Sequence, residues 1–164
     1  MNARIERTIA LCATTAALIC AAACNSSNDV TAPPASSGGT SNLVVSAANP
    51  ADGNATLTDA ATLTVNSGGS GFDELDLSTT VGGIGHEVVV TWDTSTHAIN
   101  SAQHVWGSGA VTSGFTQCVA GTNTCDGAKI ALDFAGHKVT FTGLPLADAF
   151  SGTASCTLTG TMGW

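Results

Sequence analysis

Residues 86–93, HEVVVTWD, are followed by Thr94-Ser95-Thr96 and then by residues 97–106, HAINSAQHVW. Two extended runs rich in β-branched and aromatic residues, parted by a few turn formers, predict a β-hairpin. A three-residue loop sets Asp93 opposite His97, Trp92 opposite Ala98 and His86 opposite His104. Lengthening or shortening that loop by one residue breaks these pairings.

The same period extends outward. Residues 128–134 place Ile130, Leu132 and Phe134 on one face, turn through Ala135-Gly136-His137, and return over residues 138–142 with Val139 and Phe141 apolar, a second hairpin. Residues 152–164 set Ala154, Cys156, Leu158 and Met162 against Thr153, Ser155, Thr157, Thr159 and Thr161, the pattern of a half-buried antiparallel strand. Residues 43–48 and 61–66 read as further strands, with turn formers over residues 49–54 and 67–71. The tetrapeptide ATLT occurs at 55–58 and 61–64, too closely spaced for a solenoid repeat, so it is strand composition. Residues 144–150 read as a connection, because Pro145 lacks the donor that a central strand uses.

About seven to nine short strands without helical periodicity predict an all-β domain over residues 43–164, an antiparallel β-sandwich or small barrel. Composition agrees. The chain has no Tyr and is rich in Gly, Ser, Thr and Val, residues of strands and turns rather than of amphipathic helices.

Ahead of this domain the chain carries Arg4 and Arg7, the apolar run of residues 8–23, and Cys24. The run is short for a membrane span, which takes roughly 20 residues, and has the n-region and h-region of an export signal. Ala21-Ala22-Ala23-Cys24 resembles the lipobox of bacterial lipoproteins, in which Cys24 becomes the acylated N-terminus after residues 1–23 are removed. Position 21 holds Ala where that family usually has Leu or another large aliphatic residue. Ordinary signal-peptidase cleavage after Ala23 is the alternative. Residues 25–42, NSSNDVTAPPASSGGTSN, are too poor in apolar side chains to fold and read as a flexible tether from residue 24 onward. In the resemblance, Asn25 rather than Asp after the cysteine implies the outer membrane.

Of four basic and twelve acidic residues, the first 23 positions hold Arg4, Arg7 and Glu6, which leaves Lys129 and Lys138 against eleven acids. So anionic a chain excludes nucleic acid as a partner, and its expected membrane contact is through the lipid.

Cys118 and Cys125 bracket a polar turn and suit a local disulfide, with Cys156 left as a small buried hydrophobe. Pairing of Cys156 with either of them is the open alternative. His86, Glu87, Asp93, His97 and His104 gather in the first hairpin, and imidazole with carboxylate suits zinc or copper. His86 and His104 share one face there, and His137 is the candidate third ligand. Trp92 and Trp106 are candidates for stacking on a sugar, with core packing as the other role. Asp73, Glu74 and Asp76 match no calcium loop, Gly82-Gly83-Ile84-Gly85 no dinucleotide site, and no serine has a nucleophile elbow. The expectation is a non-enzymatic, lipid-anchored envelope protein with a binding or structural domain and an unidentified protein or glycan ligand. A periplasmic metal-binding protein and a hydrolase with an unrecognised site are the alternatives.

Overall fold

A computed structural model describes residues 39–49, 53–65, 69–109, 111–121, 123–149 and 155–164. The signal, Cys24 and the tether up to residue 38 lie outside these. Among the described residues there are ten strands: β1 (Asn42–Asn49), β2 (Ala55–Leu57), β3 (Thr62–Thr64), β4 (Phe72–Val81), β5 (Ile84–Asp93), β6 (Ile99–Ser108), β7 (Val111–Val119), β8 (Ile130–Asp133), β9 (Lys138–Asp148) and β10 (Ser155–Gly163). They form one antiparallel sheet in the order β2-β1-β10-β9-β7-β6-β5-β4-β3, with β8 on β9. The sheet curls into a half-barrel, the all-β architecture expected from the strand period.

Alternation explains the curl. On β4 Leu75 and Leu77, on β5 Val88, Val90 and Trp92, on β9 Leu144 and Leu146, and on β10 Leu158 and Met162 all turn to the concave side and are buried. Their neighbours along each strand face outward, so one face supplies the whole core. Both ATLT copies form short strands, β2 and β3, and these are the two margins of the sheet. Between them Ala61 donates its N–H to the Gly163 carbonyl at 2.8 Å, and β2 touches β4, so this segment spans the open side.

Gly82 and Gly83, with φ of 60° and 85°, make the two-residue turn between β4 and β5. Glycine takes both values without strain, and this turn locks the long register from Val81 opposite Ile84 to Phe72 opposite Asp93.

The β5–β6 hairpin is present in a different register from the one expected. His86 faces Trp106 and Val88 faces His104, with a shift before Trp92 opposite Ile99. The reason lies in Asp93. Its Oδ1 accepts hydrogen bonds from the Ser95 N–H (3.0 Å), the Ser95 hydroxyl (2.7 Å), the Thr96 N–H (2.7 Å) and the Thr96 hydroxyl (2.9 Å). The His97 N–H donates to the Asp93 carbonyl, with His97 at φ 58°, and the strands resume only after Ala98. The loop is therefore five residues long rather than three. Up to Thr91 the displacement is by two residues, so His86 and His104 still share one face.

The second hairpin is β8–β9, with Ile130 opposite Phe141 and Asp133 opposite Lys138. The expected connection at residues 144–150 is corrected, since β9 runs through Pro145 to Asp148. Pro145 pairs with Thr157 on β10. On its other edge β9 is joined to β8 up to Phe141 and to β7 from Ala147, so Pro145 falls in the gap between them, where no ladder calls for its missing donor. Cys118 and Cys125 are disulfide-bonded, fastening the chain where it leaves β7 for β8. The Asn123 side chain clasps the same loop, accepting from the Val119 N–H at 3.1 Å and donating to the Gln117 carbonyl at 2.7 Å.

Strand direction defines two ends. The turn at residues 82–83 and Gly109 lie at one, with the start of β5 and the end of β6. The loop at residues 94–98, the turn at residues 134–137, the start of β1 and the end of β10 lie at the other.

Candidate functional site

The core contains two imidazoles. His86 sits near the first end of β5 and His104 two residues from the Trp106 that faces it, so the histidines are diagonal neighbours on the concave face. His86 is 2% exposed and His104 fully buried. Nδ1 of His86 and Nε2 of His104 are 3.2 Å apart, their ring planes diverge by 4°, and their centroids are 5.5 Å apart. That separation equals the N···N distance plus the two ring radii. The rings therefore lie edge to edge in one plane, with a straight N–H···N bond along the line joining them.

Trp106 stacks on His104, its ring centre 4.7 Å away and the planes 14° apart. Room for the indole comes from two glycines, since a β-carbon on Gly114, which faces Trp106, or on Gly53 would overlap the ring. On the other side of His104 stands Thr116, also fully buried, whose hydroxyl is 2.9 Å from the Cys156 sulfur. Burial, with the nearby His86 as second cause, holds the His104 imidazolium pKa down to about 3, so the ring is neutral. Nδ1 of His104 is buried and has no hydrogen-bond partner among the described residues. Burial pushes the Cys156 thiol up to about 11, opposed by its bond to Thr116.

His86 and Trp106 border a groove of about 420 Å³ at this end of the sheet, lined also by Ser78, Thr80, Glu87 and Thr112. The groove exists because Gly85 pairs with Gly107, leaving two adjacent strands without side chains at that level. Glu87 is pushed above the usual carboxylate range by desolvation and then by Asp76 and Glu74. The exposed Val111 (69%) stands at its rim. Nothing in a single-sequence pattern marks this groove, although two glycines at facing strand positions are its one visible sign.

The hairpin histidines are thus divided. His86 and His104 are together; His97 is exposed in the loop at the opposite end, its ring tilted by 41° against Phe134 with ring centres 4.4 Å apart. His137 is also there, 5.8 Å from the Trp164 ring and at φ 50°, and is not brought to the other two. Among the described residues no three His, Cys, Asp or Glu side chains are grouped to hold a metal ion. Trp92 and Trp106 are buried at 0% and 1%, so neither is a stacking platform for a sugar. Asp73 points inward, where its Oδ1 accepts from the Thr94 hydroxyl at 3.1 Å, while Glu74 and Asp76 face outward.

The fold and this interior define an all-β half-barrel with a buried imidazole pair beneath a polar groove. Comparison with protein-family models, with curated proteins and with solved structures finds no match.

Proposed function

We propose that the chain is an exported lipoprotein, acylated at Cys24 and held at the outer membrane, whose half-barrel is a non-enzymatic binding module. The observation that supports this reading is the placement of the two ends. The chain enters the sheet at Asn42, beside the end that carries His137 and Trp164, and the groove bordered by His86 lies at the far end. A tether from an acylated cysteine then joins the domain on its membrane side and presents the groove outward. A groove lined by hydroxyls and one carboxylate, on a domain with few cations, suits a neutral or cationic ligand rich in hydrogen-bonding groups.

The test is the mass and partition of the protein from cell membranes. Acylation appears as a lipid-sized increment on the fragment that begins at Cys24, and Cys24→Ser moves the protein to the soluble fraction. An unmodified Cys24 in membrane-derived protein overturns the anchored reading.

A further inference from the structure

We propose that the groove over Gly85 and Gly107 binds a pyranose ring bearing a free amine, with the ring face on the two glycines and the ammonium group on the Glu87 carboxylate. This names the ligand of the binding module and rests on that part of the reading above, not on the anchor at Cys24.

The floor of the groove carries the first argument. Gly85 and Gly107 face each other across β5 and β6. Gly107 has a packing reason to lack a side chain, since a β-carbon there would overlap the Val111 carbonyl of β7. Gly85 has no such reason. Its β-carbon would stand 3.5 Å from the Gly107 carbonyl, an ordinary contact, and beyond its chain neighbours nothing else among the described residues comes within 4 Å. Nor is its φ positive. A glycine inside a strand weakens it, and where neither packing nor backbone conformation requires one, close approach of a ligand is the use that remains.

The surroundings give the size and edge of that ligand. On this outer face Thr80 stands beside Gly85 and Thr112 beside Gly107, and one level along the strands come Ser78, Glu87 and Val105. Adjacent strands are about 4.8 Å apart and same-face side chains about 7 Å apart along a strand. The bare patch therefore has roughly the footprint of one six-membered ring. Three hydroxyls, of Ser78, Thr80 and Thr112, border its edge, and Val105 and the exposed Val111 border it with apolar surface. An aromatic ring covers the floor but leaves those hydroxyls without partners. A pyranose, with C–H faces and hydrogen-bonding groups around its rim, uses both.

Glu87 decides what the ring carries. On the same face its neighbours on β4 are Asp76 and Glu74, while on β6 Gln103 and Val105 carry no charge. Desolvation and those two carboxylates push Glu87 above the usual range, a cost that a bound cation relieves. The chain supplies none. Lys129 and Lys138 lie at the β8–β9 hairpin, separated from β5 by β6 and β7, and the one ion pair among the described residues joins Lys138 to Asp133. An ammonium held directly on a ring carbon falls at the edge of the patch, where the Glu87 carboxylate and the Ser78 hydroxyl opposite it accept its hydrogens. A lysine side chain of a partner protein also reaches Glu87, but it leaves the glycine floor uncovered.

The test titrates the protein as isolated from cells with methyl glucosaminide and follows backbone amide shifts. Methyl N-acetylglucosaminide and lysine amide are the comparisons. The amides of Gly85, Glu87 and Gly107 are expected to move saturably with the amino sugar, with both comparison compounds at least about 10-fold weaker, the loss of a charge-assisted hydrogen bond or of the ring contact. Glu87→Gln weakens the amino sugar by a similar factor, and Gly85→Val, which the space above the floor admits, removes binding. Should a variant fail to fold, the three titrations of the unaltered protein still decide. Groove amides that stay in place, or that move as readily with lysine amide or with the N-acetylated sugar, overturn the proposal. The two readings fail separately: an acylated protein whose groove amides stay in place loses only the amino-sugar site, and an unacylated one whose groove amides move loses only the anchor.

Discussion

The indole of Trp106 occupies the space that a side chain on Gly114 would fill, and the two residues face each other across β6 and β7. Gly114→Ala therefore forces the ring out of place and is expected to lower stability by about 1–3 kcal/mol, the range for overpacking a core. In a Trp106→Leu background the same change costs much less, and denaturant midpoints of the four chains measure the coupling.

The neutral His104 gives a pH dependence with a definite sign. Its folded-state pKa of about 3 lies below the unfolded value, so the unfolded chain binds the proton more readily. This group's contribution to stability is complete above about pH 6.5 and falls as pH drops toward 3, at up to ~1.4 kcal/mol per pH unit. Urea midpoints recorded between pH 7 and pH 4 show the slope, and His104→Gln flattens it.

Asp93 acts in a separate window. The hydroxyls and amides of Ser95 and Thr96 hold its carboxyl down at about 2, below the ordinary 3.8. Its contribution is complete above about pH 4 and is lost as pH falls through 2. Asp93→Ala is expected to speed hydrogen exchange at the Ser95 and Thr96 amides, whereas Asp93→Asn, which keeps an acceptor oxygen, changes it less.

Desolvation raises the Asp76 carboxyl above its ordinary range, and its buried Oδ1 has no hydrogen-bond partner among the described residues. Removing the charge is accordingly favourable, and Asp76→Asn is expected to raise the melting temperature at pH 7. The gain shrinks as pH falls into the raised range and the native carboxyl becomes neutral by itself.

Reduction of the Cys118–Cys125 bond is expected to lower stability by about 2–3 kcal/mol, the loop-closure value for so short a segment. Cys156, buried and with its thiol up at about 11, stays unlabelled by alkylating reagents in the folded domain and reacts on unfolding. Peptide mass mapping before and after denaturation separates the three cysteines.

Much of this was legible in the chain. Alternation placed Ile130, Cys156, Leu158 and Met162 on the correct face, and the spacing of Cys118 and Cys125 indicated their bond. Register was harder, because it rests on how Asp93 collects Ser95 and Thr96, and a three-residue loop is the simpler reading of the same letters. Pro145 misled for a related reason: its effect depends on whether a neighbour occupies that edge, which only the split between β7 and β8 decides. The division of His86 and His104 from His137 is likewise a matter of which end each strand starts from. The groove depends on Gly85 meeting Gly107, a pairing that exists only once the register is known.

The pairing of β1 with β10 has a consequence for synthesis. Asn42 lies opposite Thr161, so the earliest strand has its place in the sheet only between β2 and the last strand described. Until residues 155–163 leave the ribosome, β1 and β2 have no strand pairing to the rest of the sheet, only the contact of β2 with β4, and Trp164 is not there to pack against Trp92. A sheet arranged in this way cannot close before residues 155–163 are available to it. On the export route proposed above, a sheet that awaits its distant strand partner favours transport before the half-barrel closes.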